Sequence, residues 1–148
     1  MSWHEIGWQT TATAAGAPIC AFRAPTRGSR LWELGFACNA ATASQLSLLR
    51  NTGAGYAASV STAVGQTTLP LWAAGTSLVD LAWTTPPTIT AANKFRRFGA
   101  PASIGAGWVW TFRDGLFVRS ATATDIAVCW NEGAAAISVL NGWAVWEE

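Results

Sequence analysis

The chain has 148 residues and a mass of 15.6 kDa, with 51% hydrophobic residues, 11% charged residues and a formal net charge of +1. That length fits one domain covering residues 1–148, and nine basic side chains against eight acidic ones, with Lys94 the sole lysine, give no clustered cationic surface, so nucleic acid is not an expected partner. Much of the apolar content is alanine broken by Thr, Ser and Gly, and the uncharged stretch from Asn51 to Val79 carries polar residues and Pro70, which argues against a spanning helix and against a membrane partner.

The chain starts MSWHEIGWQT, with no basic start leading into an apolar run, so no secretory signal is read and production in the cytoplasm is expected. Short segments rich in Trp, Phe, Val, Ile and Thr then alternate with Pro, Gly, Asn and Asp, which is the punctuation of an all-β chain. Strands are expected over Glu5 to Thr11 and Pro18 to Phe22. Arg30 to Asn39 (RLWELGFACN) is apolar on both alternating faces, Leu31 and Ala37 on one and Trp32, Leu34, Phe36 and Cys38 on the other, and predicts a central strand. Gln45 to Arg50 reads as a half-buried strand, with a helix over Ala40 to Arg50 as the competing reading.

After the long uncharged connection from Thr52 to Gln66, Ser77 to Trp83 predicts a strand with Val79, Leu81 and Trp83 opposite Leu78, Asp80 and Ala82. Lys94 to Phe98 predicts another. Gly107 to Arg113 and Leu116 to Arg119, joined by Asp114-Gly115, predict a β-hairpin, because Asp-Gly suits a two-residue turn with positive φ. Ile126 to Asn131 and Ile137 to Trp146 complete the set. The pattern predicts an antiparallel β-sandwich with jelly-roll-like connections, and a closed barrel is the competitor.

Catalytic signals are sparse. Cys20, Cys38 and Cys129 are widely spaced among apolar neighbours, and His4 is the only histidine, so buried free thiols are expected in place of a metal site. His4 is read as an exposed residue near the chain start, and no G-x-S-x-G elbow or glycine-rich phosphate loop occurs. Glu33 and Asp80 each interrupt an apolar strand; a carboxylate pair could serve sugar hydrolysis, but pairing with arginine or an outward position accounts for each. No enzymatic activity, cofactor or metal is expected.

Ten tryptophans against one tyrosine are the most unusual feature of the composition. Trp32, Trp83 and Trp130 are expected in the core. Trp3, Trp8, Trp143 and Trp146, near the two ends of the chain, are candidate subunit-interface residues, because large indoles are costly to leave exposed. Trp108, Trp110 and Phe112 share a strand face that either lines the interior or offers a sugar-stacking platform. Arg23, Arg27 and Arg30 fall close together with no intervening acid and are candidates for docking onto an acidic protein surface.

The run ELGFACNAATASQLSLLRNTGAG, the segments FRRFGAPASIGAGWVWTF and DGLFV, and the final GWAVWEE resemble small virion proteins of tailed bacteriophages. The resemblance covers Leu31 to Glu148 and carries no catalytic motif. It implies a β-sandwich on the exterior of the capsid that decorates or cements the head as a homotrimer, with the major capsid protein as its partner. A tail or baseplate protein and a carbohydrate-binding module are the alternatives.

Overall fold

The computed structural model describes residues 2–25, 27–51, 57–61, 75–119 and 126–148, together with the backbone of 67–69. It contains eleven strands: β1 (Trp3–Gln9), β2 (Pro18–Arg23), β3 (Ser29–Cys38), β4 (Ser44–Arg50), β5 (Ala57–Ser61), β6 (Thr67–Leu69), β7 (Leu78–Thr85), β8 (Lys94–Ala100), β9 (Gly107–Val118), β10 (Ala127–Asn131) and β11 (Leu140–Glu147), with one turn of 3-10 helix at Ala91–Asn93. They form a five-stranded sheet in the order β6-β1-β11-β3-β9 and a six-stranded sheet in the order β5-β7-β2-β10-β4-β8. Every strand pairing is antiparallel.

The topology is that of a jelly roll. β1, β2, β3 and β4 pair in turn with β11, β10, β9 and β8, so the chain is one long hairpin whose two arms pair in reverse order and wrap into two sheets. The segment at the tip of that hairpin adds β6 beside β1, β7 beside β2 and β5 beside β7. The pairs nearest the chain ends are the most distant in sequence. Their register is held by alternation: β1 buries His4, Ile6 and Trp8 and exposes Trp3, Glu5, Gly7 and Gln9.

Inward side chains from both sheets fill one core around Phe36, Leu34, Leu46, Leu48, Trp108, Trp110 and Trp146. The rings interlock: Phe98 stacks on Trp108 at 4.3 Å between centroids, Trp108 stacks on Phe36 at 5.3 Å, and Phe22 meets Trp146 edge-on at 5.6 Å. Such pairs add to area burial because the positive ring edge meets the negative face. Cys20 and Cys129 sit opposite each other on β2 and β10, buried and unbridged, and burial together with the neighbouring Cys20 pushes the Cys129 thiol up.

Several expectations are corrected. Asp114-Gly115 does not reverse the chain. β9 runs on through it, and Phe112 to Gly115 bulge opposite Trp32 while both flanks stay paired with β3. Gly115 keeps its positive φ of 67°, and its missing Cβ makes room for Arg30, whose Cγ would lie 2.1 Å from that atom. Trp32 is also an extra residue of β3 against β11, where the register passes from Glu33–Val145 to Leu31–Trp146, so Leu31 joins Leu34, Phe36 and Cys38 in the core and Trp32 turns out. Trp83 and Trp130 pack outside the main core, against a second cluster. The strand expected over Gln45 to Arg50 is present as β4, in place of the competing helix, and β5 and β6 arise in a region too rich in small and polar residues to show a strand pattern.

Candidate interaction surface

The two sheets differ on their outer faces. On the six-stranded sheet, Ala21, Leu49, Ile126 and Val128 form a buried second cluster, sealed by Ile89 from the β7–β8 connection and by Trp83 and Trp130. Beside it Asp80, wholly buried, accepts from Arg23 Nε at 2.9 Å and Nη2 at 3.0 Å, and Ser61 Oγ donates to the same carboxylate. Burial raises the Asp80 carboxyl above its ordinary value, and Arg23 opposes that rise. Further along, Glu132 accepts from Lys94, Arg97 and Ser47. Although burial acts to raise it, those donors and the Arg97 charge hold the carboxyl at about 2.

The five-stranded sheet has no such cover among the described residues. Cross-strand register sets its outward residues in four rows: Trp3, Glu147, Arg30 and Phe117; then Glu5, Val145, Glu33 and Thr111; then Gly7, Trp143, Gly35 and Val109; then Gln9, Asn141, Ala37 and Gly107. Trp3 is 45% exposed, Val109 45% and Phe117 46%. At one end Trp32, turned out by the bulge, stacks on Trp3 at 5.5 Å with the Arg30 guanidinium 6.0 Å from its ring. A shallow depression of about 170 Å³ adjoins this end, lined in part by Arg27, Arg30, Phe117 and Glu147. That is below the usual size of a small-molecule site.

The third row is built differently. A Cβ on Gly35 would stand 2.1 Å from Cε2 and Cζ2 of Trp143 and 2.7 Å from Cη2, so the indole lies flat over the Gly35 backbone. Only glycine admits so close an approach on a strand. Trp143 Nε1 donates to Glu33 Oε1 at 2.8 Å, which fixes the ring in its own plane. Trp32, Trp83, Trp108 and Trp130, by contrast, have no acceptor for Nε1 among the described residues.

The residues singled out in the sequence divide accordingly. Trp3 and Trp143 lie on the open face, whereas Trp8 and Trp146 are buried in the core and have no surface to give a subunit interface. Arg23, Arg27 and Arg30 do not make one basic patch: Arg23 is tied to Asp80 on the six-stranded sheet, Arg30 lies on the outer face of the other, and Arg27 is exposed between them. Trp108, at 7% exposure, and Trp110 line the interior, so their faces offer no sugar platform. Trp32, expected in the core, lies on the outer face, and Phe117 escaped notice, because an irregularity of the pairing interrupts the alternation between them. Gly35 was the available signal, since an isolated glycine inside a strand marks close approach.

Hydrolytic chemistry finds little support in the geometry. Glu33 and Asp80 lie on opposite outer faces and do not meet. His4 is buried, at 1% exposure, where an exposed residue was expected. Its Nε2 lies 2.8 Å from Ser2 Oγ and 4.0 Å from Glu148 Oε1, while Nδ1 has no acceptor among the described residues. A nucleophile-activating histidine needs an acceptor on the nitrogen remote from the serine, and here the carboxylate faces the same nitrogen. The group serves as a clasp: Glu148 also accepts from Ser77 Oγ at 2.7 Å and Ser77 N at 3.1 Å, and Ser2 and Glu148 exchange backbone hydrogen bonds. These donors, with Thr76 and Trp146, outweigh burial and lower the Glu148 carboxyl. No metal-binding group of three or more ligands occurs among the described residues, and none of the helices there is long and apolar enough to cross a membrane. Comparison with protein-family models, curated proteins and solved structures finds no match to this chain.

Proposed function

We propose that this protein is a bacteriophage capsid decoration protein, a non-enzymatic jelly roll that binds the exterior of the assembled head at junctions between major capsid subunits. The observation that carries the reading is the outer face of the five-stranded sheet, uncovered among the described residues, where Trp3, Trp32 and Phe117 gather at one end beside Arg27 and Arg30. Exposed aromatics with arginine are the composition of a protein-binding hot spot. The likeness of the strand segments to small virion proteins supplies the partner.

Decoration works by multivalency. A homotrimer engages several capsid subunits at once, so modest contacts become strong where geometry permits simultaneous engagement. Because the protein binds the assembled shell and not free subunits, it stabilises assembly by mass action.

Heads assembled without the protein are expected to lose thermal resistance and to regain it when purified protein is added. Trp3→Ser and Phe117→Ser are expected to fold normally and to bind heads ~10-fold or more weakly. Failure of the native protein to bind expanded heads would overturn the reading. Antibody labelling on the tail or baseplate would move it elsewhere in the virion, and light scattering gives the subunit number directly.

A further inference from the structure

We propose that the Trp143 end of the open face is a binding site for a neutral pyranose sugar. The inference is independent of the virion reading. It starts from the seat of the indole: half-buried Trp143, in the outward row of β11, packs against Gly35 with its N–H already held by Glu33 Oε1. The platform is therefore flat and set before any ligand arrives, which reduces the ordering cost of binding. A pyranose whose hydroxyls are equatorial presents axial C–H groups to each face, and these are attracted to the negative face of an indole.

The polar groups around the ring complete the match. Glu33 Oε2 accepts no hydrogen bond from the described residues, since the only bond to that carboxylate goes to Oε1. In the next row Gln9 Nε2 donates to Asn141 Oδ1 at 3.1 Å, leaving Gln9 Oε1 as acceptor and Asn141 Nδ2 as donor on an exposed pair. A carboxylate thus lies in the row on one side of Trp143 and an amide pair in the row on the other, the kinds of group that bond sugar hydroxyls. Glu5, across Val145 from Glu33, makes this part of the face acidic. Uronic and sialic acids are disfavoured there by like charge, which leaves neutral sugars.

The same groups argue against a protein partner on this half of the face. Protein interfaces deplete charge at their centres, and covering Glu33 with an apolar surface would strand a carboxylate oxygen without a donor. Sugar hydroxyls supply such donors. The Trp3 end differs, because there Glu147 and Arg30 are cross-strand neighbours of opposite charge.

The test uses the whole protein, ¹⁵N-labelled, titrated with neutral oligosaccharides of glucose, N-acetylglucosamine, galactose and mannose, and with oligogalacturonate as the anionic comparator. At least one neutral series is expected to shift the Trp143 indole N–H resonance while oligogalacturonate does not. Trp143→Ala is expected to weaken that binding ~10-fold or more, and Trp3→Ala to change it less than about twofold. Glu33→Gln, which keeps an acceptor for the indole N–H but removes the charge, is expected to weaken it several-fold, and it carries the test should Trp143→Ala fail to fold. The proposal is overturned if no neutral series moves the Trp143 signal, or if affinity survives both Trp143→Ala and Glu33→Gln. It is equally overturned if Trp143→Ala splits an oligomer into monomers, since this half of the face would then be a subunit contact.

Discussion

The outer faces of the two sheets carry similar residues and come to opposite ends. Both hold tryptophans, a strand carboxylate and an arginine. On the six-stranded sheet the chain covers its own apolar surface: Ile89 from the β7–β8 connection closes over Val128, Leu49 and Ile126, and Arg23 neutralises Asp80. On the five-stranded sheet Trp3, Val109 and Phe117 stay open, and Glu33 is engaged by an indole N–H, not by a cation. A fully buried carboxylate requires a partner of opposite charge, whereas half-buried Glu33 is held by an indole N–H alone among the described residues. One face is therefore closed by the chain's own contacts, while the other keeps aromatic side chains open among the described residues.

Substitutions that separate those roles should differ sharply. Asp80→Ala leaves Arg23 without its carboxylate in a partly buried site and should cost about 3 kcal/mol in urea denaturation; a loss like that of a surface mutation would mean that the covered face is not held by this pair. Ile89→Ser uncovers the second cluster and should cost about 1–2 kcal/mol, with increased binding of a hydrophobic dye. On the open face, Gly35→Ala forces the Trp143 ring off its seat and should cost about 1 kcal/mol while shifting the Trp143 indole N–H resonance. Gly99→Ala, where nothing lies within 4 Å of the new Cβ, is the matched control and should be neutral within about 0.5 kcal/mol.

The last effect is a pH dependence centred on Glu132 of the covered face. The Glu132 carboxyl is lowered from 4.5 to about 2 on folding, so its contribution is complete above the higher value and lost as pH falls through the lower one. Melting temperature should decline over that window, with Glu148 acting in the same direction, and Glu132→Gln should flatten part of the decline. An unchanged acid slope in the variant would show that Lys94 and Arg97 do not engage this carboxylate in solution.

Much of the fold is legible in the residues. The strands at Pro18, Arg30, Gln45, Ser77, Lys94 and Ile126 lie within a residue or two of their expected starts, because period-two alternation bounded by Gly, Pro and Asn is a local signal. The small and polar β5 and β6 offer no such signal and pair only because β7 and β1 present free edges. The candidate site was legible in its parts and not in its assembly. Trp3 and Trp143 stood out by composition, but Trp8 and Trp146 looked the same, and only the sheet face to which each belongs sends one pair outward and the other into the core.

Sequence alone determined an all-β chain, its strand positions and an apolar surplus in tryptophan, since these follow from alternation, turn chemistry and composition. Tertiary structure decided whether Asp114-Gly115 would turn or bulge: both need glycine at positive φ, and the continued pairing of β9 along β3 selects the bulge. Trp32 faces it as the extra residue of β3 against β11, and turns out. It was likewise tertiary pairing of β11 with β3 that laid Trp143 over Gly35, because side chains distant in sequence meet only once the register between their strands is set.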